Sequence, residues 1–194
     1  MLVEVSDDES VLELYDDLCR TPPAGTVDLV PADRTILITY APGSTDHQRI
    51  SADVTARRPR QGRVLRGPTV DVRVRYDGQD LAEVAELTGL SEDEIVRRHL
   101  ACEHVVAFCG FAAGFPYIAG LDRALRVPRR SSPRLAVDPG AIAIADKFTG
   151  IYPRAMPGGW RIIGHTDDAL WDASRNPPTS LGPGTRIRFR REAA

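Results

Sequence analysis

Five arginines, Arg123, Arg126, Arg129, Arg130 and Arg134, fall within twelve positions of this chain. Guanidinium forks meet carboxylates and phosphates through paired hydrogen bonds, so the run suits an anionic small molecule. A solvated basic loop pairing with Asp122 and Asp138 is the plainer alternative. The arginines lie in a longer stretch, residues 110–164, where glycine and proline interrupt aromatics and arginines. Such backbone resists helix and favours short strands joined by shaped loops. Within it, MPGGW at 156–160 offers glycines that let a ligand or another chain approach, with Trp160 as a wall, or simply the turn before a strand.

Other familiar chemistries fail on spacing. Lys147 in ADKFTG lacks the GxxxxGK[ST] frame of a phosphate cradle, and GFAAGF lacks the third glycine of a dinucleotide fingerprint. His99 and His104 are five apart, which fits neither HExxH nor an i, i+4 pair, and Cys102 and Cys109 complete no metal set. No metal is therefore expected. A histidine near a helix C-terminus serves packing or the helix dipole, while His165, at a strand end, reads as a pH-sensitive binding residue or a solvated loop histidine. Ser131 and Ser132 make no nucleophile elbow, and Cys109 reads as a small buried residue before it reads as a nucleophile. A second basic run, Arg57, Arg58, Arg60, Arg63 and Arg66, has no interleaved aromatics for base stacking and reads as an exposed connection.

The 194 residues carry a net charge of −2, which argues against a dedicated nucleic-acid or membrane-surface protein. Three cysteines, an odd number with no CxxC pair, suit reduced thiols. Acidic residues Glu4, Asp7, Asp8 and Glu9 break any signal-peptide pattern, and no apolar run approaches the roughly 18 residues of a membrane span. A soluble, cytoplasmic protein is expected.

A recognisable order of elements must position these residues. Residues 2–5 suit a strand, and Val11, Leu12, Tyr15 and Leu18 suit a helix behind the caps Ser6 and Asp7. Residues 27–30 and 35–40 suit paired strands, 46–57 a helix, and 69–76 a strand with Val70, Val72 and Val74 alternating with charge. The order β-α-β-β-α-β is a split βαβ pattern. After the Asp77-Gly78 turn, a helix carrying Leu81, Val84, Ala85 and Leu87 ends at Gly89, and Ser91 with Glu94 opens another as a capping box. Beyond Glu103 only strands are expected, at 105–109, 117–119, 141–145, 160–163 and 186–190, which favours a closed barrel or sandwich.

The fragments VRYDG (74–78), DLAEVAELTGLSEDEIVRRH (80–99), GFAAGFPYIAGLD (110–122), PRRSSPR (128–134), TGIYP (149–153) and PGGWRIIGHT (157–166) come in an order that resembles one family. It is the family of the B-type subunit of 5-oxoprolinase, also called allophanate hydrolase subunit 1, which includes an inhibitor of a sporulation histidine kinase. The resemblance implies an α+β fold, with an N-terminal split βαβ-type domain at 1–78 and a C-terminal cyclophilin-like β-barrel at 79–194. It implies a subunit of an ATP-dependent amidohydrolase that opens 5-oxo-L-proline to L-glutamate. Its partners would be a second carboxyltransferase-type barrel subunit and a further subunit, with ATP bound by the complex. Alternatives within the resemblance are a binding module that inhibits a sensor histidine kinase and an allophanate hydrolase-type subunit. Carried over by matching position, the catalytic residues would be His99, orienting a neighbour, and Arg134. Substrate contacts would come from Gly110, Phe111, Gly114, Phe115, Arg130, Pro133, Tyr152, Gly158, Gly159 and Trp160, with Arg130 and Arg134 on carboxylate or phosphate. The chain departs from the family pattern at His104, Ala113, Asp146 to Phe148, Met156 and His165.

Overall fold

The computed structural model describes residues 1–5, 8–58 and 67–192, and the chain forms two compact units, Met1–Arg66 and Gly67–Ala194. The expected caps Ser6 and Asp7, and the arginines Arg60, Arg63 and Arg66, lie outside the described residues.

In the first unit, strand β1 (Leu2–Glu4) leads into helix α1 (Asp8–Arg20), strands β2 (Thr26–Pro31) and β3 (Thr35–Tyr40), and helix α2 (His47–Ala56). The sheet order is β1-β3-β2, with both pairings antiparallel. β1 and β2 therefore run parallel, joined by α1 and split by β3, as the sequence pattern requires. β3 alternates, burying Ile36 and Ile38 while Leu37 stays exposed, and Val11, Leu14 and Leu18 of α1 close the core with Ile50 of α2. Asp46 caps α2 by accepting from the Arg49 N–H at 2.8 Å. Arg57 is not a solvated connector. Its guanidinium ties the two helices by donating to Asp17 and Asp53, each at 2.7 Å.

The strand expected to complete this unit does not belong to it. β4 (Thr69–Val74) pairs in parallel with β12 (Arg186–Arg191) over six residues, from Thr69 opposite Arg186 to Val74 opposite Arg191. The division thus falls between Arg66 and Gly67 rather than after residue 78. Between β4 and β12 come helices α3 (Leu81–Thr88) and α4 (Glu92–Ala101), then strands β5 (His104–Cys109), β6 (Pro116–Ala119), β7 (Arg134–Val137), β8 (Ala141–Ala145), β9 (Phe148–Ile151), β10 (Met156–Gly158) and β11 (Arg161–His165). α3 ends at Gly89, whose φ of 70° is the left-handed cap, and Ser91 opens α4 by accepting from Glu94 N–H at 3.2 Å. The Glu94 carboxylate does not reach back to close the box. Arg97 and Arg98 hold it instead and keep it down at about 2.

Seven strands form one sheet in the order β11-β8-β9-β6-β5-β12-β4. Just past β4, Arg75 exchanges both backbone hydrogen bonds with His165 at the end of β11, at 2.9 and 2.8 Å. That bridge joins the two edge strands and makes the sheet a nearly closed barrel. β8 is buried on both faces. Ile142 and Ile144 enter a core shared with Val72, Val74, Ile163, Ile187 and Phe189, while Ala141, Ala143 and Ala145 face a second, aromatic-rich cluster. The β7–β10 ribbon covers that second face through Val137 and Met156. No helix among the described residues is long and apolar enough to cross a membrane.

Closure through one backbone pair is testable. Arg75→Pro removes the donating N–H and is expected to cost about 1–3 kcal/mol, with Arg75→Ala separating out the side chain's ion pairs. Denaturant titration would report the loss, and amide exchange at His165 would rise selectively.

Candidate functional site

The expected arginines do not sit loose in solvent. Asp80, at the N-cap position of α3, makes no side-chain cap bond. Its carboxylate turns away from the helix: one oxygen accepts from Arg130 at 3.0 Å and Arg134 at 2.5 Å, and the other from the Ile162 N–H at 2.7 Å. The Asp80 N–H in turn donates to the Ile162 carbonyl at 3.0 Å. The aspartate side chain is only 3 % exposed, so these bonds replace a hydration shell it cannot have. One turn along α3, Glu83 accepts from Arg130 at 2.8 Å and from Arg161 at 3.3 Å. Arg161 is itself buried and donates to the Pro128 carbonyl. Asp122, one of the partners expected for this run, instead holds Arg98 at 2.9 Å.

The aromatic residues form a wall beside this ion-pair knot. Phe115 meets Tyr152 and Trp160 edge-on, with centroids 5.1 and 5.4 Å apart, and Tyr117 stacks on Phe108 at 4.3 Å. Gly158 has no room for a methyl group, because a Cβ there would overlap the Tyr152 phenol. Burial, opposed by the Trp160 N–H, pushes the Tyr152 hydroxyl above its ordinary range. The Gly159 carbonyl accepts from the Arg130 N–H at 2.8 Å, and Gly159 lies against Pro133, so the PGGW turn links knot and wall. Arg129 reaches over the Trp160 ring at 5.8 Å.

Past Tyr152 the wall borders a cleft of about 270 Å³, lined also by Gly114, His165, Thr166, Asp168 and Trp171. Gly114, with φ of 81°, lies directly under the Trp171 indole, where any side chain would collide. Asp168 is held by Arg73, and Thr166 is buried with its hydroxyl accepting from the Asp168 N–H at 3.1 Å. His165 meets the Pro139 carbonyl through Nε2 at 3.1 Å. Phe111, edge-on to Phe115, is exposed and has φ of 67°, a conformation costly for a bulky residue. Gly110, two residues after Phe108, leaves ordinary space around its backbone.

The expected contact residues divide by place: Gly114 and Tyr152 line the cleft, Phe115, Gly158 and Trp160 are buried in the wall, Gly110 and Phe111 lie beside its rings, and Gly159, Arg130, Pro133 and Arg134 lie at the knot. His99 does not join them. It is fully buried, with Nδ1 on the Tyr76 hydroxyl at 2.8 Å and Nε2 on the Thr149 hydroxyl at 3.2 Å. A ring with both nitrogens engaged and no exposure cannot meet a substrate. His99 therefore lies inside the core, bonded to Tyr76 and to Thr149 of β9, rather than at the cleft where a catalytic residue was expected. Its carbonyl accepts from His104 Nε2 at 2.9 Å, so neutral His104 leaves Nδ1 as a buried acceptor without a partner. Cys109 donates to the Leu181 carbonyl, and burial pushes its thiol up to about 11, consistent with a packing role. Asp80, Glu83, Arg161 and Trp171 were missed by sequence reasoning. Trp171 carried a signal as a lone indole in a polar stretch, and Arg161 as a charge inside an apolar strand.

A family model described as carboxyltransferase domain, subdomain C and D, matches residues 2–181. The chain belongs to this family. Among curated proteins it is similar to the B-type subunit of 5-oxoprolinase from Escherichia coli O157:H7, 49% identical over 123 residues that make up 62% of this chain and 56% of that one. The Bacillus subtilis (strain 168) protein of the same name is 42% identical over 123 residues, 62% of this chain and 51% of its own length. The match thus spans about half the length of these relatives. Among solved structures, the TTHA0988 crystal structure superposes with a TM-score of 0.83 at 34% identity, covering 100% of this chain and 40% of that one. Within the carboxyltransferase-domain family, the knot and wall described above are what this chain's own residues contribute.

Both the knot and the buried histidines have measurable consequences. Asp80→Asn leaves Arg130 and Arg134 without their shared buried carboxylate and is expected to destabilise by about 3–5 kcal/mol, measured by denaturant titration. Burial holds His99 well below its ordinary value and His104 down to about 4. Both rings protonate near 6.5 once unfolded, so the unfolded state binds more protons and stability falls as pH drops from about 6.5 toward 4. His104→Gln, which can still donate to the His99 carbonyl, should flatten that slope by up to about 1.4 kcal/mol per pH unit.

Proposed function

We propose that this chain is a subunit of an ATP-dependent amidohydrolase acting on 5-oxo-L-proline, working with a second carboxyltransferase-type barrel subunit and a further subunit. The observation that carries the reading is the convergence of 110–115, 149–153 and 157–166, distant in sequence, on one wall and cleft in a chain akin to proteins named as 5-oxoprolinase subunits of the B type.

The chemistry suits such a cleft. An amide is stabilised by resonance, and opening a lactam needs an activated carbonyl and donors for the charge that develops on its oxygen. A small cyclic amide would lay its ring against Trp171 and the edge of the wall, with its polar groups toward Thr166 and His165. ATP would serve as a co-substrate of the complex. Lys147 lies in the two-residue turn between β8 and β9 rather than at a helix start, so the described residues form no triphosphate cradle of the loop-to-helix kind there. The part this chain plays is to hold the amide.

The test is reconstitution with the partner subunits, following glutamate formation from 5-oxoproline with and without ATP. Trp171→Ala is expected to lower kcat/KM about tenfold or more while the barrel's thermal midpoint shifts little. Ammonia release from allophanate without glutamate formation from 5-oxoproline would move the assignment to a urea-derived amide. Capture of a histidine kinase with no turnover of either amide would make the chain an inhibitory module.

A further inference from the structure

We propose that Arg130, Arg134 and Arg161 form an anion site that takes one carboxylate or phosphate group, with Glu83 as its displaceable internal occupant. Charge at the knot does not balance. Three guanidiniums meet two carboxylates, Asp80 and Glu83. Asp80 is fixed: its side chain is 3 % exposed, and it is bound to the β11 backbone as well as to two arginines. Glu83 differs, being 40 % exposed and tied to Arg130 and Arg161 alone among these groups. One positive charge is left over.

The donors agree with the charge. Each of the three arginines keeps one buried N–H group with no partner: Nε of Arg130, Nη1 of Arg134 and Nε of Arg161. Buried donors are almost always satisfied, and a charged one left bare is costly. The Arg161 side chain is 7 % exposed and cannot turn to solvent to satisfy its own. Arg130 and Arg134 are 30 % and 20 % exposed, so the knot reaches the surface on their side. An oxyanion with several acceptor oxygens matches three unused guanidinium donors better than any neutral group does.

Glu83 supplies the means of exchange. It lies in the first turn of α3, and rotating its side chain outward would free Arg130 and Arg161 without disturbing the Asp80 backbone contacts. An incoming anion then competes with a carboxylate already present, so the resting knot is partly self-occupied. Binding at the knot needs no partner subunit and stands apart from the amide reading.

The experiment uses the full chain, titrated calorimetrically at constant ionic strength with inorganic phosphate, with acetate and with chloride as reference. Saturable binding of phosphate or acetate beyond chloride is expected, and whichever binds assigns the ligand chemistry. Glu83→Gln should tighten that binding about tenfold, because the competing charge is gone while an acceptor of similar shape remains. Arg161→Lys, which keeps the charge and loses the fork, should weaken it. The idea fails if neither anion binds beyond chloride in the wild type and in Glu83→Gln, or if Glu83→Gln binds the same or more weakly. Should Arg161→Lys not fold, the Glu83→Gln comparison decides alone.

Discussion

A carboxylate shut away from water must find its hydrogen bonds inside the protein, and Asp80 finds them on two separate stretches of chain. It fixes α3 to β11 through the Ile162 backbone, and it draws in the loop before β7 through Arg130 and the start of β7 through Arg134. Once that loop is held, the Arg130 N–H can meet the Gly159 carbonyl, which sets the turn between β10 and β11. The aromatic wall rests on that turn, since Trp160 follows Gly159 directly and packs on Phe115. Removing the anchor would leave two arginines competing for water in a space with little of it.

The wall carries a second constraint, the exclusion of side chains at a few backbone positions. Gly150 faces the rings of Phe115 and Trp160, and Gly158 faces the Tyr152 phenol. Large rings pack over the outer face of the sheet only where the strand beneath offers no side chain of its own. The small alanines of β8 serve the same purpose, so one sheet supports an aliphatic core on one face and an aromatic layer on the other.

Much of this was legible in the chain. Alternation in 69–76 marked a half-buried strand, Ser91 and Glu94 marked the start of α4, and the glycine and proline punctuation after residue 110 marked short strands rather than helices. The split βαβ order was right for β1, α1, β2 and β3. Its last strand was misplaced because alternation tells which face is buried but not which sheet buries it; β12, more than 100 residues later, supplied the partner. β7, β9 and β10 went unread for a local reason. They are three or four residues long, and two of them contain glycine or proline. At the site, residue types suggested anion-binding arginines, but no periodicity reveals that an aspartate typical of helix caps will turn its carboxylate toward them. His99 looked chemical because histidine is versatile. Only the three-dimensional packing of Tyr76, Thr149 and Phe189 around its ring shows that it is enclosed.

The pairing of β4 with β12 bears on how the second unit comes to be. Both strands lie at the margins of the unit's sequence, and every strand between them can find a neighbour before β12 exists. As the polypeptide emerges from the ribosome, β4 must wait with one edge unpaired until residues 186–191 arrive. The barrel is thus a ring whose clasp is made last, and nascent chains cut short of that point would expose two strand edges to any chain nearby.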